Sequence, residues 1–255
     1  MSRNGASAPG SRPAAAALLC VGGLRGGVNP RIALVNASFA DADTLRNFRR
    51  ELDADVTAYA ATDGEFPDAS AYDGLIVTGS RASVYWDEPW ITEARQWAGG
   101  AVEANSPALG VCWGHQLLAD AVGGTVEPMG EYELGYRTVQ HTSADIFEGV
   151  PEAFTVFTTH SDAVTELPAG ADRIAENEYG IQGFRYGNVY GVQAHPEYDP
   201  ETAEAVTRGK DLPEERIESV CAGITEEAYA EATAAKRVFD NFCRLAGRRA
   251  EPADD

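Results

Sequence analysis

One stretch restricts the fold of this chain more than any other. The short apolar run Ala108–Val111 passes through Gly110-Val111-Cys112-Trp113-Gly114-His115-Gln116 into a segment carrying Leu117, Leu118, Ala121 and Val122 on one side. A buried strand therefore meets an amphipathic helix across a very tight turn. The Gly-x-Cys-x-Gly core fits a nucleophile elbow with cysteine in place of serine. Such a turn pushes one side chain into a cleft, strains its backbone and crowds the residues two away on either side. Glycine fits those crowded positions because it has no Cβ. The helix that begins there offers free N–H groups and the positive end of its dipole, and both favour a thiolate over a thiol. Most free cysteines are buried core residues, and Cys20, Cys221 and Cys243 read that way. Cys112, flanked by glycines at a strand–helix junction, reads as a nucleophile.

The rest of the chain extends this pattern. Strands are expected at 31–37, 55–60, 74–78 and 108–111. Between them lie a helix carrying Leu45, Phe48 and Leu52 on one face, a loop over 62–73 and a helix over 90–104. This alternation predicts a mostly parallel sheet with helices on both faces. Shorter strands at 136–140, 154–157, 173–176, 181–186 and 189–194 predict an antiparallel annex, and a long helix is expected over 225–246, stopped by Gly247. With 255 residues and no internal linker, one domain over 31–247 is expected, between a disordered Ala/Gly/Pro-rich extension at 1–30 and a frayed tail at 248–255. The apolar stretch 14–24 is too short and poorly flanked for a signal peptide, and Val28 is a candidate true start.

Charge and cysteine content narrow the function. There are 40 acidic against 20 basic residues, a formal net charge of −20, and Lys210 and Lys236 are the only lysines. A field of that sign repels nucleic-acid backbones and anionic membranes. It resembles the surfaces of salt-adapted proteins, in which salt screens the self-repulsion. Four cysteines without a disulfide spacing indicate a reducing, cytoplasmic setting, and no run reaches the roughly 18 apolar residues needed to span a bilayer. No phosphate loop is present, and Cys112 with His115 lacks the second pair a zinc site needs, so neither metal nor cofactor is expected.

A cysteine nucleophile needs a base. His115 lies three residues along the elbow helix, where its ring points away from the turn. His195 ends an apolar strand in Gly191-Val192-Gln193-Ala194-His195-Pro196-Glu197, where strand ends line a catalytic crevice. Glu197 can accept the other ring N–H and fix the tautomer. Tyr85, Trp86, Trp90 and Tyr132 either line a cleft or pack.

Together, Gly-Val-Cys-Trp-Gly-His-Gln and the later His-Pro-Glu resemble the class I, triad-type glutamine amidotransferases over most of 31–246. The GMP-synthase-like branch is the nearest likeness, through Glu133-Leu134-Gly135-Tyr136 and Thr159-His160-Ser161-Asp162. Gly64-Glu65-Phe66-Pro67 and His195-Pro196-Glu197-Tyr198 look like its stand-alone members, among them γ-glutamyl peptidases. The resemblance implies a three-layer α/β/α, flavodoxin-like fold and a catalytic set of Cys112, His195 and Glu197. It implies an oxyanion hole from the Trp113 amide and the turn after Thr78. There the family often has Gly-Gly-Pro and this chain has Gly79-Ser80-Arg81, so the choice between Gly79 and Ser80 stays open. Gln116, His160, Ser161 and Asp162 match substrate-holding positions. Three functions follow: a glutaminase feeding ammonia to a separate synthetase, a stand-alone γ-glutamyl peptidase or hydrolase, or a non-catalytic regulatory or scaffold subunit. The complete Cys112, His195 and Glu197 set argues against the last.

Overall fold

The computed structural model describes residues 29–39 and 41–250. The expectations placed on 1–28, including Cys20, the 14–24 run and a start at Val28, lie outside the described residues, as does the tail over 251–255.

Nine strands form one sheet in the order β2-β1-β3-β4-β9-β8-β7-β5-β6. The parallel half holds β1 (Arg31–Asn36), β2 (Asp55–Ala60), β3 (Gly74–Val77), β4 (Ala108–Val111) and β9 (Val189–Val192). Strands β3, β4 and β9 are buried along their whole length, because helices cover both faces. Alternation along β1 divides the core. Ile32 and Leu34 pack on one face with Phe48 of α1 (Asp41–Glu51) and with Phe239, Phe242 and Ala246 of the C-terminal helix. Ala33 and Val35 pack on the other with Ile91, Ala94 and Ala98 of α2 (Pro89–Glu103) and Leu117 of α3 (Trp113–Ala121). Each fully buried phenylalanine contributes about 2–3 kcal/mol of transfer free energy.

The antiparallel strands continue the same sheet beyond β9: β8 (Gly180–Tyr186), β7 (Asp172–Asn177), β5 (Thr125–His141) and β6 (Ala153–Glu166). Strands β5 and β6 are far longer than the short segments expected over 136–140 and 154–157. They form one ribbon, with a register shift between Pro128 and Glu133.

The C-terminal region differs from expectation. Two helices, α4 (Pro200–Arg208) and α5 (Glu214–Ala222), pack over the start of the ribbon through Leu134, Phe157, Ala203 and Val220. The helix expected over 225–246 is α6 (Glu226–Ala232), a 3₁₀ turn over 233–236 and α7 (Arg237–Ala250). Helix α7 runs through Gly247 rather than stopping there.

One glycine tests the helix-propensity part of this description. A Cβ at Gly100, inside α2, meets nothing within 4 Å. Gly100→Ala is expected to raise stability by about 1 kcal/mol, through helix propensity and a less flexible unfolded chain. The midpoint of urea unfolding reads this directly.

Candidate active site

The C-terminal ends of β1, β3, β4 and β9 meet at one crevice, the place where open α/β sheets carry their sites. Thr78 Oγ1, just after β3, donates to Asn36 Oδ1 at the end of β1 (3.2 Å) and accepts from the Ala37 amide (3.0 Å). Between them β4 turns into α3. Cys112 stands at that turn with φ 53° and ψ −104°, a backbone region costing on the order of 1–3 kcal/mol for a non-glycine residue. The surrounding strands hold it there: Cys112 N–H donates to Val192 O (2.9 Å) and Gly114 N–H to Thr78 O (3.1 Å). The two glycines are forced by contact. A Cβ at Gly110 would lie 2.2 Å from Gly114 O, and one at Gly114 would lie 2.2 Å from Val77 O.

His195 stands beside Cys112 on the loop after β9, where the charge of the sulfur acts on its ring. Its Nδ1 lies 2.7 Å from Glu197 Oε1, and both residues are buried. The His195 amide donates to Phe157 O (2.8 Å), Tyr198 stacks on the imidazole (centroids 4.1 Å apart), and Arg50 donates to Glu197 O (2.6 Å). Burial pushes the His195 pKa down, but the charges of Cys112 and Glu197 and the Glu197 hydrogen bond outweigh it, raising the pKa to about 10. The imidazole is thus poised to hold a proton beside the sulfur.

Gly79 is wedged against this pair. A Cβ there would lie 2.9 Å from His195 Cε1 and 3.6 Å from Cys112 Cβ. Ser80 lines the cavity, while its Oγ accepts from the Ala82 amide (3.3 Å) within its own loop. Trp113, the first residue of α3, packs against Trp90 (centroids 5.2 Å) and carries its amide at the start of the helix.

A cavity of about 150 Å³ opens beside Cys112 and is also lined by Gln116, His160, Ser161 and Asp162. Gln116 Nε2 donates to Asp162 O (2.9 Å) and Gln193 Oε1 (3.1 Å), and His160 Nδ1 also binds Asp162 O (2.9 Å). The structure thus brings Gln116, His160, Ser161 and Asp162 to the cavity beside Cys112, with His195, Glu197, Gly79 and Trp113 packed around the same turn. His115 is different. It is fully buried under α3 against Phe184, and burial with the nearby His160 charge lowers its pKa to about 3.

Several neighbours were not singled out from sequence. Glu133, fully buried, accepts from His160 Nε2 (2.6 Å), Asn177 Nδ2 (2.6 Å) and Gln182 Nε2 (2.9 Å). Asp162 accepts from Ser83 Oγ (2.5 Å) and Tyr85 OH (2.9 Å), while Trp86 is exposed. Tyr132, Arg81 and Lys210 complete the mouth of the cavity. Glu133 lay within a matched motif, and Tyr85 and Tyr132 were among the aromatics expected either to line a cleft or to pack; Ser83 and Lys210 carry no such signal. Among the described residues, no group of three His, Cys, Asp or Glu is placed to hold a metal ion, and no helix is long and apolar enough to cross a membrane.

Comparison with known proteins is consistent with this geometry. The chain resembles a glutamine amidotransferase from Thermotoga maritima at TM-score 0.71 and 21% identity, over 84% of this chain and 98% of that one. A glutamine amido transferase from Methylobacillus flagellatus gives TM-score 0.68 at 19% identity, over 86% and 96% of the two chains. At such identities the likeness establishes the three-layer fold. Among curated sequences, γ-glutamyl peptidase 5 of Arabidopsis thaliana is 30% identical over 155 residues, 56% of this chain and 62% of that protein. The γ-glutamyl-L-1-hydroxyisopropylamide hydrolase of a Pseudomonas species is 33% identical over 60% of this chain and 57% of its own length. The GMP synthase of Thermosipho africanus is 37% identical over 48% of this chain and 24% of its length. The chain therefore matches between a quarter and three fifths of these relatives. The profile of the family described as glutamine amidotransferase class-I matches residues 42–208. This chain belongs to the class I glutamine amidotransferase family.

Proposed function

We propose that this chain hydrolyses the side-chain amide of glutamine through a γ-glutamyl thioester on Cys112 and releases ammonia for a separate synthetase. The observation that carries the reading is the buried line from Cys112 through His195 to Glu197, complete within one chain. Cys112 Sγ attacks the amide carbon and the carbonyl electrons move onto oxygen. The Trp113 amide and the Gly79–Ser80 turn face that oxyanion. As the C–N bond breaks, His195 gives its proton to the departing nitrogen, and Glu197 holds the ring for the transfer. Water then attacks the thioester carbon, His195 takes its proton, and the C–S bond breaks to release glutamate. Gln116, His160, Ser161 and Asp162 hold the glutamyl group.

A second reading, a stand-alone γ-glutamyl peptidase, is favoured by the same complete set of three, which leaves no catalytic group for a partner to supply. The acidic, lysine-poor composition supports a salt-adapted, cytoplasmic protein, so assays belong in molar KCl. Purified protein is given glutamine and, separately, a γ-glutamyl dipeptide. Slow glutamine turnover that rises when a synthetase from the same cell is added supports the first reading. Fast dipeptide cleavage with slow glutamine turnover supports the second. Turnover of neither, with Cys112 inert to a glutamine-like electrophile, overturns both.

A further inference from the structure

In this acidic chain one of its two lysines, Lys210, sits at the mouth of the catalytic cavity together with Arg81. Neither forms an ion pair with a carboxylate among the described residues. Lys210 Nζ lies over the Tyr132 ring (5.0 Å to the centroid). A Cβ at Gly209, next to Lys210, would lie 3.1 Å from the Arg81 guanidinium, so the two basic residues share one end of the cavity. Asp162, the buried carboxylate of the cavity, is held by Ser83 and Tyr85, and Asp211 is exposed at the rim. Burial pushes the Lys210 pKa down, the Cys112 charge opposes this in part, and the Arg81 charge adds to it, so a bound anion would offset a remaining cost.

Two basic groups without a carboxylate partner set the sign of that anion, and the neighbourhood of Arg81 to the His195 side of the crevice points to the leaving group. Arg81 follows Gly79, the residue against His195, by two positions, and its charge acts on Tyr198, which stacks on His195. His195 must face the departing nitrogen to protonate it. Gln116 and Asp162 border the cavity from α3 and β6.

We infer that Arg81 and Lys210 form a leaving-group subsite that selects γ-glutamyl substrates whose amine portion carries a carboxylate, such as γ-glutamyl amino acids. The inference rests on the second reading above, the stand-alone γ-glutamyl peptidase, and assigns it a substrate class. The subsite adds no chemical step. It binds the departing amino acid through charge-assisted hydrogen bonds and leaves the glutamyl group to Gln116 and Asp162.

The test separates binding from turnover. In Cys112→Ala protein in molar KCl, calorimetry is run with γ-glutamyl-glycine and with γ-glutamyl-glycinamide, its neutral counterpart. The acid is expected to bind at least about tenfold tighter. Adding Arg81→Gln and Lys210→Gln should bring that ratio close to one. Equal binding of acid and amide, binding of neither, or a preference that survives both replacements overturns the inference. Turnover of glutamine by the parent protein without any acid preference would leave the hydrolase reading standing and remove the subsite. An acid preference without turnover of any γ-glutamyl amide by the parent would do the reverse.

Discussion

Cys112→Ala is expected to lower γ-glutamyl amide hydrolysis by at least about 10⁴-fold, to the background of the reagent. His195→Ala should cost a similar factor, and the double variant should lose little more, because nucleophile and base act as one unit. The same substitution makes a spectroscopic prediction with a definite sign. Burial alone would hold His195 below its ordinary value; the Cys112 charge is the first of the groups that lift it to about 10. Removing the sulfur therefore lowers the His195 pKa, with only Glu197 left to oppose burial. In the parent the imidazole is expected to lose its proton only near pH 10. Steady-state assay and imidazole NMR check the two halves. Residual turnover in Cys112→Ala, or a His195 titration that does not move, would contradict the roles assigned.

The second large effect is structural. Gly114→Ala places a methyl group 2.2 Å from Val77 O, a backbone atom of a fully buried central strand. Neither β3 nor α3 can move aside without breaking the Gly114 N–H to Thr78 O bond and displacing the Gly79 turn that packs on His195. A loss of about 3 kcal/mol or more is expected. The helix should retract from the crevice, so alkylation of Cys112 should slow even where the protein remains folded. Gly100→Ala in α2 is the internal contrast, since it adds the same atom to open space and should stabilise. Chemical denaturation and a thiol-labelling rate measure both. Unchanged stability in Gly114→Ala would mean that the elbow is not packed as described.

How far the structure was legible from sequence depended on how local each signal was. Strands β2 and β4 occupy the expected 55–60 and 108–111: β4 is a fully buried apolar run, and β2, an edge strand with no buried residue, carries the β-formers Val56, Thr57 and Tyr59. The first half of β5 was hidden. Thr125–Tyr132 is polar, largely exposed and interrupted by Pro128 and Gly130, and it becomes a strand only by pairing with β6. Helix α4 went unmarked although Asp199-Pro200 carries its start: Asp199 accepts from the Thr202 amide (2.8 Å), and Pro200 occupies the first turn. Gly247 does not end α7 because a glycine stops a helix only when the chain turns left-handed there, and here it stays helical.

The site divides the same way. Cys112 and the His195–Glu197 pair are carried by contiguous motifs, so sequence could point to each. The cluster of Glu133, His160, Asn177 and Gln182 is set by register, since Glu133 pairs directly with His160 across β5 and β6. The hold of Ser83 and Tyr85 on Asp162, and the approach of Lys210 to Arg81, join residues far apart in the chain.

The most direct measurement is capture of the covalent intermediate. The parent protein is mixed with glutamine or γ-glutamyl-glycine, quenched in acid within milliseconds, digested and mapped by mass spectrometry. A γ-glutamyl group attached to Cys112, accumulating further in Glu197→Gln if loss of the His195 anchor slows deacylation, is the predicted result. Hydrolysis that proceeds with no acyl group on Cys112, or with one on another residue, would contradict the account.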